Sequence, residues 1–517
     1  MIDWQRRLFR YGYLVTNDPD IASNDMGVVW SEWNCSTIGE WRIWLHPLQK
    51  CFVFRKDARS YLLIGHAYNP YTLEKDEETI LAHLASLDED RASYRDYFDQ
   101  LTGLFFFAAI EGDRLVCTSD CAGLLSAYYA EISGKLYFSS HSQLIAELCG
   151  LREDPYVTRL KASRLFHLYG WYLPGDRSSY REIRRIIPNT ELRYDGSFHI
   201  ERFYPRKPYE IRTGDAYRDT VQRAEEILHN SMKLIAEKWE KPAISLTGGT
   251  DSKTTLACAS DLQKRFRYFS YVSIPRESAD AEAAAEICRQ LGLEHRIYPV
   301  PENNALYDDF DEVNRLIERH YAYLGKGNPN DVRKRIVLAR DFHEDVEVKS
   351  WVSEVVRASR YEIYKKKTMP ARMTPRLMTT MYKVFLFNRR SAMETDRVFS
   401  DYIRETGLQR AVEANGYPWT EFFVWEIVFG CWGSLTLTGE HKLSNDITVP
   451  FNNRALLDLM LRTPLELRRT DQLHRDMMDA GDQRINRLGI HVVNGNSTAF
   501  RAFCERAYFE VHSRLPF

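Results

Sequence analysis

Residues 243–252 read AISLTGGTDS, an apolar strand that runs straight into a glycine turn and then opens a helix. Such a unit gathers consecutive backbone N–H groups and the positive end of a helix dipole around one small space, which suits a polyphosphate. Because glycine has no Cβ, we expect Gly248 and Gly249 to adopt positive φ and to let the backbone approach an anion. Asp251 can bind Mg²⁺, and Ser252 can cap the helix or contact a phosphate oxygen.

Two other interpretations of this loop compete with that one. A Walker A loop is excluded, because no glycine precedes Lys253 and the motif requires one there. An ordinary turn before a capped helix stays open, since Gly-Gly and Asp-Ser are common in turns. The order of strand, loop and helix favours the nucleotide site.

From about residue 206 onwards, helical and extended patterns alternate. We predict helices and strands in the order 215–238 (helix), about 243 (strand), the helix after the loop, 268–274 (strand), 280–291 (helix) and 295–300 (strand). This alternation predicts a parallel sheet covered by helices on both faces. Ligands bind such sheets at the carboxyl ends of the strands, so we expect residues 247–252 and Ser273 to share one site. Beyond about residue 305 the patterns are mainly helical.

The first 200 residues have a different pattern, with short apolar runs separated by turn residues. It predicts strands at 61–64, 104–110, 114–117 and 135–138 and helices at 77–87 and 142–148. Two prolines among charged residues mark the change of pattern at 204–214. We therefore predict two domains, residues 1–205 and 206–517.

Composition narrows the class of protein. The 517 residues include 70 basic and 72 acidic side chains, a near balance that argues against a large nucleic-acid partner. The nine cysteines are scattered, without the spacing of a zinc site or a disulfide scaffold, which is typical of reduced thiols in the cytoplasm. The N-terminus has no signal-peptide core. Glu426 interrupts the apolar stretch 422–439, so we predict a buried core helix there and no membrane segment.

Several short motifs resemble those of one family. Residues 247–252 resemble the SGGxDS pyrophosphate loop of PP-loop ATP pyrophosphatases, with Thr247 in place of the first serine. The GEIYN, LDGxFAF, RDxxG…FASE and RVPFLDxxL motifs of the asparagine synthetase family, which includes β-lactam synthetases and lasso peptide cyclases, resemble the segments 65–69, 101–107, 118–141 and 448–457. The resemblance implies a chain of mixed α/β and α+β class. Its N-terminal domain would be an Ntn-hydrolase-like β-sandwich, followed by a PP-loop domain (adenine nucleotide α-hydrolase-like) with a parallel sheet and a helical C-terminal part.

The departures from the family concern its glutaminase site. The family's nucleophilic cysteine follows the initiator methionine, whereas Ile2 stands there in this chain. Thr102 stands in the position of the family's aspartate that binds the glutamine amine, and His66 stands in the position of a family glutamate. Cys35 would become an N-terminal nucleophile only if the chain before it, including the predicted first strand 11–15, were removed. We expect the N-terminal domain to be a scaffold, as in the β-lactam synthetase branch.

A second family motif resembles residues 351–358, WVSEVVRA. Ser353 stands in the position of the family's metal-binding aspartate, so Mg²⁺ would be held by Asp251 with Glu354, or by Asp251 with phosphates and water. Arg357 would face pyrophosphate and stabilise its charge. The alternative is a surface helix turn with an Arg/Glu pair.

The segment that carries a catalytic lysine in the β-lactam branch corresponds to residues 467–475, which contain no lysine. His441, Lys442 and Asp446 are weaker candidates for contacts with an acyl group. Solvated loop residues are the alternative interpretation for these three.

Together, the residues and the resemblance predict an AMP-forming, ATP-dependent amide-bond synthetase that works without glutamine hydrolysis. A carboxylate would attack the α-phosphorus of ATP, and an amine would then displace AMP from the acyl-adenylate. We assign catalysis to Asp251, Glu354 and Arg357, and Mg²⁺ binding to Asp251 and Glu354. The predicted ATP contacts are Leu246, Thr247, Gly248, Gly249, Thr250, Asp251, Ser252, Lys253 and Ser273.

The expected partners are small-molecule or peptide carboxylates and amines, without nucleic acid or membrane, and the sequence is compatible with a homodimer or a pathway partner protein. Two other functional classes stay open. A PP-loop sulfurtransferase or RNA-modifying ligase would use the same loop, although paired catalytic cysteines and a basic RNA-binding face are not visible. A non-catalytic scaffold or partner protein would account for Ser353 and for the missing glutaminase residues.

Overall fold

The computed structural model describes residues 2–21, 32–163, 166–382, 389–492 and 499–514. Its N-terminal strands are β1 (Tyr13–Thr16), β2 (Asn34–Ile38), β3 (Trp41–Leu45), β4 (Cys51–Lys56), β5 (Arg59–Tyr68), β6 (Thr102–Glu111), β7 (Arg114–Ser119), β8 (Tyr128–Ile132), β9 (Lys135–Ser139), β10 (Arg184–Arg185), β11 (Thr190–Tyr194) and β12 (Phe198–Arg202). They form two antiparallel sheets with the orders β10-β8-β9-β1-β3-β2 and β12-β11-β7-β6-β5-β4.

The two sheets pack face to face, and helices cover the outer face of the second sheet. Phe106 points between the sheets, where its ring lies 5.3 Å from that of Tyr13. Its neighbours Phe105 and Phe107 point the other way, into a cluster with α1 (Glu77–Ser86) and α2 (Arg91–Asp99). Because both faces are buried, β6 is a continuous apolar run without the alternation of a half-exposed strand.

A parallel sheet of five strands follows in the chain. Its order is β15-β14-β13-β16-β17, and every neighbouring pair is parallel. The strands are β13 (Pro242–Ser245), β14 (Arg267–Val272), β15 (His295–Pro299), β16 (Val346–Val348) and β17 (Ile447–Thr448). The glycine loop follows β13, the central strand, so both neighbouring strands end beside it.

The remaining α-helices belong mostly to the C-terminal half. They are α3 (Ser142–Cys149), α4 (Pro155–Lys161), α5 (Asp215–Lys238), α6 (Thr250–Cys258), α7 (Pro275–Leu291), α8 (Phe310–His320), α9 (Pro329–Asp341), α10 (Ser359–Tyr364), α11 (Pro375–Tyr382), α12 (Arg389–Thr406), α13 (Leu408–Asn415), α14 (Trp419–Phe422), α15 (Ser434–Gly439), α16 (Arg454–Leu461), α17 (Leu465–Arg469), α18 (Gln472–Arg487) and α19 (Ala499–His512). A π-helix, Phe423–Gly433, joins α14 to α15.

The predicted fold class is confirmed, with antiparallel sheets first, a parallel sheet second and a mainly helical C-terminal part. α7 begins earlier than predicted, because Pro275 is well suited to the first turn of a helix. The predicted domain boundary at 205–206 falls between β12 and α5. It stays a prediction, since the largest hydrophobic cluster contains side chains from both sides of it.

The apolar stretch near residue 430 is buried inside the protein. In the described part of the chain, one helix, Trp419–Leu443, is long and apolar enough to cross a membrane, and 83% of its apolar window is buried. Glu426, inside this helix, is fully buried and accepts hydrogen bonds from Arg202, Asn189 and Tyr402. A paired acid at the centre of a packed helix fits the predicted core helix.

Candidate active site

A cavity of about 300 Å³ opens at the carboxyl edge of the parallel sheet, beside the glycine loop. Residues from three segments form its wall: the loop after β13, the end of β14 with the start of α7, and the residues after β16. The predicted site residues on this wall are Leu246, Thr247, Gly249, Asp251, Ser252 and Glu354. Gly248, Thr250, Lys253, Ser273 and Arg357 lie near the loop but do not line the cavity.

The backbone N–H groups of the loop are held by nearby side chains. Thr247 N donates to Ser252 Oγ at 3.1 Å, and Gly249 N donates to Thr247 Oγ1 at 3.1 Å. Gly248 N donates to the Asp280 carboxylate at 3.2 Å. An anion in the cavity would therefore have to take over donors that the hydroxyl and carboxylate groups now satisfy.

The expectation of positive φ at the two glycines is wrong. Gly249 has φ −73° and ψ 160°, and Gly248 is also outside the left-handed region. Steric contact explains the glycines instead. A Cβ on Gly248 would lie 2.4 Å from Val492 Cγ2 and 3.0 Å from Ala283 Cβ, whereas one on Gly249 would meet only Thr247 Oγ1, at 3.1 Å.

Ser252 does not cap the helix, because α6 begins two residues earlier and Gly249 is its N-cap. Its hydroxyl instead accepts from Thr247 N and lies 3.0 Å from Thr247 Oγ1. The second interpretation, in which this hydroxyl faces a phosphate, remains compatible with its place on the cavity wall.

Asp251 is the centre of a charged cluster drawn from three distant parts of the chain. Ser353 Oγ donates to Asp251 Oδ1, and Arg357 Nη1 donates to Asp251 Oδ2 at 2.6 Å. The same guanidinium binds Asp471 through Nε at 2.8 Å and Nη2 at 2.6 Å. His474 is buried, with Nε2 3.9 Å from Asp251 Oδ1. These bonds bring the predicted Asp251 and Arg357 together. Ser353, at the position of the family's metal-binding aspartate, contributes a hydroxyl that donates to Asp251 and no second carboxylate.

Glu354 lines the cavity, and the pKa of its carboxyl group is raised. Burial raises its pKa from 4.5 to about 8, and the negative charge of Asp251 adds to the shift. Among the described residues, its buried Oε2 has no hydrogen-bond partner. Two neighbouring carboxylates of this kind fit a cation, which would remove their repulsion. The described residues contain no group of three or more His, Cys, Asp or Glu side chains placed to hold a metal.

Lys253 and Ser273 are held by other contacts. The Lys253 ammonium donates to the Ile490 carbonyl at 2.6 Å and lies 2.8 Å from His491 Nδ1, and burial lowers its pKa to about 8. Ser273 binds Glu277 through both its backbone N and its hydroxyl. Lys253, which we predict as an ATP contact, is therefore turned towards Ile490 and His491.

The weaker candidates also lie off the cavity wall. His441 packs against the ring of Trp351 at 5.1 Å, and Lys442 forms an ion pair with Asp446 at 3.1 Å. Both side chains are buried, so they are not the solvated loop residues of the alternative interpretation.

Sequence reasoning missed three residues of this region. Lys349 lines the cavity, and its ammonium is held by the buried Glu347 at 2.7 Å. Its position directly after β16, at the carboxyl edge of the sheet, was a usable signal. Asp471 and His474 have no local motif that could identify them, because 221 residues separate Thr250 from the aspartate that it contacts.

The residues at the positions that correspond to the family's glutaminase site contact the C-terminal half of the chain. His66 Nε2 lies 3.1 Å from Thr448 Oγ1, and Asn453 Nδ2 donates to Thr102 Oγ1 at 2.9 Å. Burial lowers the pKa of His66 to about 3, so its ring is neutral. The segment around β17 thus fills the space beside both residues.

Residues 223–327, which include the glycine loop, match the family model described as asparagine synthase. For this part of the chain the match confirms the resemblance that the motifs predicted. A comparison with curated proteins finds no relative of this chain.

Three solved structures are similar over part of the chain. The first is glutamine phosphoribosylpyrophosphate amidotransferase from B. subtilis complexed with ADP and GMP, at 10% identity over 57% of this chain and 61% of that chain, with a TM-score of 0.22. The second is an allosteric regulatory enzyme of purine biosynthesis, at 10% identity over 63% and 90%, with a TM-score of 0.25. The third is glutamine-dependent NAD⁺ synthetase from Acinetobacter baumannii in complex with ADP, at 14% identity over 48% and 60%, with a TM-score of 0.19. The chain spans less than two thirds of the first and third structures.

Proposed function

We propose that this protein is an ATP-dependent, AMP-forming amide-bond synthetase that uses an amine other than ammonia from glutamine. One observation carries the proposal. Asp251 and Glu354, from different segments, meet at the mouth of a glycine loop on the edge of a parallel sheet, with Arg357 bound to Asp251. The match of residues 223–327 to the asparagine synthase model supports the same reaction class.

The loop and its charged neighbours would bind the nucleotide. Thr247, Gly249 and Ser252 line the cavity, and their donors are suited to phosphate oxygens. Asp251 and Glu354 would hold Mg²⁺, which supplies positive charge to the phosphates. The Arg357 guanidinium would stabilise the charge that gathers on pyrophosphate as it leaves.

The substrate carboxylate would attack the α-phosphorus, forming a C(O)–O–P bond as the bond between the α-phosphorus and the bridging oxygen breaks. The amine would then attack the acyl carbon, and AMP would leave with the former carboxylate oxygen. A base must remove one proton from that amine, and Glu354 Oε2 is available for it among the described residues. Mg²⁺ beside Glu354 would offset the burial and the charge of Asp251 that raise its pKa, and would so favour the ionised carboxylate that can accept this proton.

Glutamine hydrolysis has no support in the N-terminal half. The side chains of His66 and Thr102 contact Thr448 and Asn453, and the ring of His66 is neutral. We propose that this half is a scaffold and that the protein works in the cytoplasm with small-molecule or peptide substrates.

Exchange of radioactive pyrophosphate into ATP, measured with a panel of carboxylic acids and no amine, tests the first step. We expect exchange with at least one acid and its loss, by at least about a hundredfold, in Asp251→Asn, because the variant loses a charge at the phosphate site. Asp261→Asn, an exposed aspartate in the same domain, is the control and should keep full exchange. Undiminished exchange in Asp251→Asn would refute the assignment.

Two further assays separate the other functional classes. A scaffold would not bind Mg-ATP in calorimetry, and an RNA-modifying ligase would release AMP only when tRNA is added. Glutamine should not support amide formation in place of the amine substrate.

A further inference from the structure

Asp471 has an unusual backbone conformation next to the charged cluster. It stands immediately before α18 with φ 57° and ψ 19°, in the left-handed region. A non-glycine residue in this region is strained, and such residues persist where surrounding contacts hold them. Asparagine and glycine adopt this conformation at least as readily as aspartate. The backbone alone therefore gives no reason for a carboxylate here.

The carboxylate forms a two-point contact with Arg357. Oδ1 accepts from Nε at 2.8 Å and Oδ2 accepts from Nη2 at 2.6 Å, which is the parallel geometry of a strong Arg–carboxylate pair. Thr250 Oγ1, at the start of α6, also donates to Oδ2, at 3.4 Å. Asp471 thus joins the first turn of the loop helix to the arginine.

Arg357 is shared unequally between two acids. Asp251 receives one hydrogen bond from it, at 2.6 Å, and Asp471 receives two. When a cation or a phosphate group competes for this cluster, the single bond is the easier one to break. The guanidinium would then stay on Asp471 with Nη1 free.

His474 lies on the same face of α18 and is 1% exposed. Within the described part of the chain neither ring nitrogen has a hydrogen-bond partner, and Nε2 is 3.9 Å from Asp251 Oδ1. Burial lowers the pKa of His474, which favours the neutral ring. Asp471, just before α18, and His474, in its first turn, therefore bring an anchored acid and an unsatisfied polar ring to the same small region.

We infer that Asp471 is a positioning residue, which holds Arg357 towards the β- and γ-phosphates while Asp251 is released to the cation. The inference rests on the proposed nucleotide site. It assigns to the 467–475 segment a part in pyrophosphate binding.

Calorimetry with three defined ligands, Mg-ATP, Mg-pyrophosphate and AMP, tests this inference. In Asp471→Asn and Asp471→Gly we expect the affinities for Mg-ATP and Mg-pyrophosphate to fall about tenfold, because a charge-assisted pair that orients the arginine is lost. Affinity for AMP should stay within about twofold, since AMP lacks the two outer phosphates. Asp476→Asn, on the same helix and bonded to Tyr217 outside the cluster, is the control.

Thermal stability distinguishes positioning from a structural role. Because asparagine and glycine suit the left-handed conformation, both variants should melt within a few degrees of the unchanged protein. Arg357→Ala should reproduce the loss of pyrophosphate affinity, and the double variant should be no weaker than Arg357→Ala, because the two residues act as one unit. Equal losses for AMP and pyrophosphate, additive effects, or undiminished pyrophosphate affinity would overturn the inference. If the unchanged protein fails to bind Mg-ATP, the proposed function fails instead.

Discussion

At the scale of single residues, Glu354 gives the clearest link between environment and chemistry. Its pKa is raised from 4.5 to about 8 by burial and by Asp251, so the folded protein favours the neutral acid. In the unfolded chain the pKa returns to its ordinary value. The folded state therefore loses stability as the pH rises from about 4.5 to about 8, because ionisation is then easier in the unfolded chain.

Replacing Glu354 by Gln should remove this loss. Relative to the unchanged protein, we expect Glu354→Gln to melt at a similar temperature at pH 5 and roughly 2–4 °C higher at pH 9. Thermal denaturation at the two pH values is the measurement, and Glu302→Gln, at an exposed position, should show no such difference. If Glu354→Gln melted at a lower temperature than the unchanged protein at pH 9, the ionised Glu354 side chain would not destabilise the folded protein.

At the scale of elements, the loop between β13 and α6 is held from outside by the C-terminal segment. Val492 N donates to the Gly248 carbonyl at 3.4 Å, and the Val492 side chain occupies the space where a Gly248 Cβ would lie. The ammonium group of Lys253, the fourth residue of α6, donates to the carbonyl of Ile490. Residues 490–492 and the loop must therefore fit each other closely.

The two glycines of the loop should differ in their tolerance of a methyl group. We expect Gly248→Ala to weaken Mg-ATP binding by at least tenfold. A Cβ 2.4 Å from Val492 Cγ2 would force the loop or residues 490–492 to move, and closely packed residues resist such a movement. Gly249→Ala should lose about threefold or less, because its Cβ meets only the Thr247 hydroxyl. Calorimetry of the two variants compares them directly. Equal losses of Mg-ATP affinity in the two variants would contradict this prediction. They would indicate that the loop N–H groups, and not the contact with Val492, determine which substitutions the loop tolerates.

The elements themselves were largely predictable, whereas the completed site was not. The helix predicted at 215–238 is α5, Asp215–Lys238, because its apolar residues recur with helical period over many turns. The glycine loop was predictable because its strand, turn and helix are adjacent in the chain. Asp471, His474 and Lys349 reach the same place only through packing of distant segments, which no local pattern records. The requirement for glycine at position 248 also depends on such a neighbour, Val492.

At the scale of the whole molecule, one buried segment joins the two halves. Asn452 donates to the Gly103 carbonyl at 2.6 Å and to Asp120 at 2.8 Å, and accepts from Ala122 N at 2.8 Å. The segment continues from β17, which pairs with β16, and β16 leads directly to Lys349 and the motif with Glu354. The N-terminal half therefore supports the strand that borders the cavity.

Substitution of this asparagine should affect both halves together. Asn452→Ala removes one hydrogen bond each from the buried Gly103 carbonyl, the Asp120 carboxylate and Ala122 N–H, so we expect it to destabilise the protein by roughly 2–4 kcal/mol. Denaturant unfolding should show a single transition at lower denaturant, with weaker pyrophosphate exchange under native conditions. Asn486→Ala, on the surface of α18, is the control. Independent unfolding of the two halves, with exchange unchanged, would contradict a scaffold role for the N-terminal half.

The transfer of oxygen from the acid to AMP tests the central claim most directly. An acid that supports pyrophosphate exchange is labelled with ¹⁸O in its carboxylate and incubated with ATP and an amine that completes amide formation, and the products are measured by mass spectrometry. Formation of an acyl-adenylate at this loop predicts one ¹⁸O atom in the phosphate of AMP and none in pyrophosphate. Label in inorganic phosphate with formation of ADP, or unlabelled AMP accompanying the amide, would contradict it.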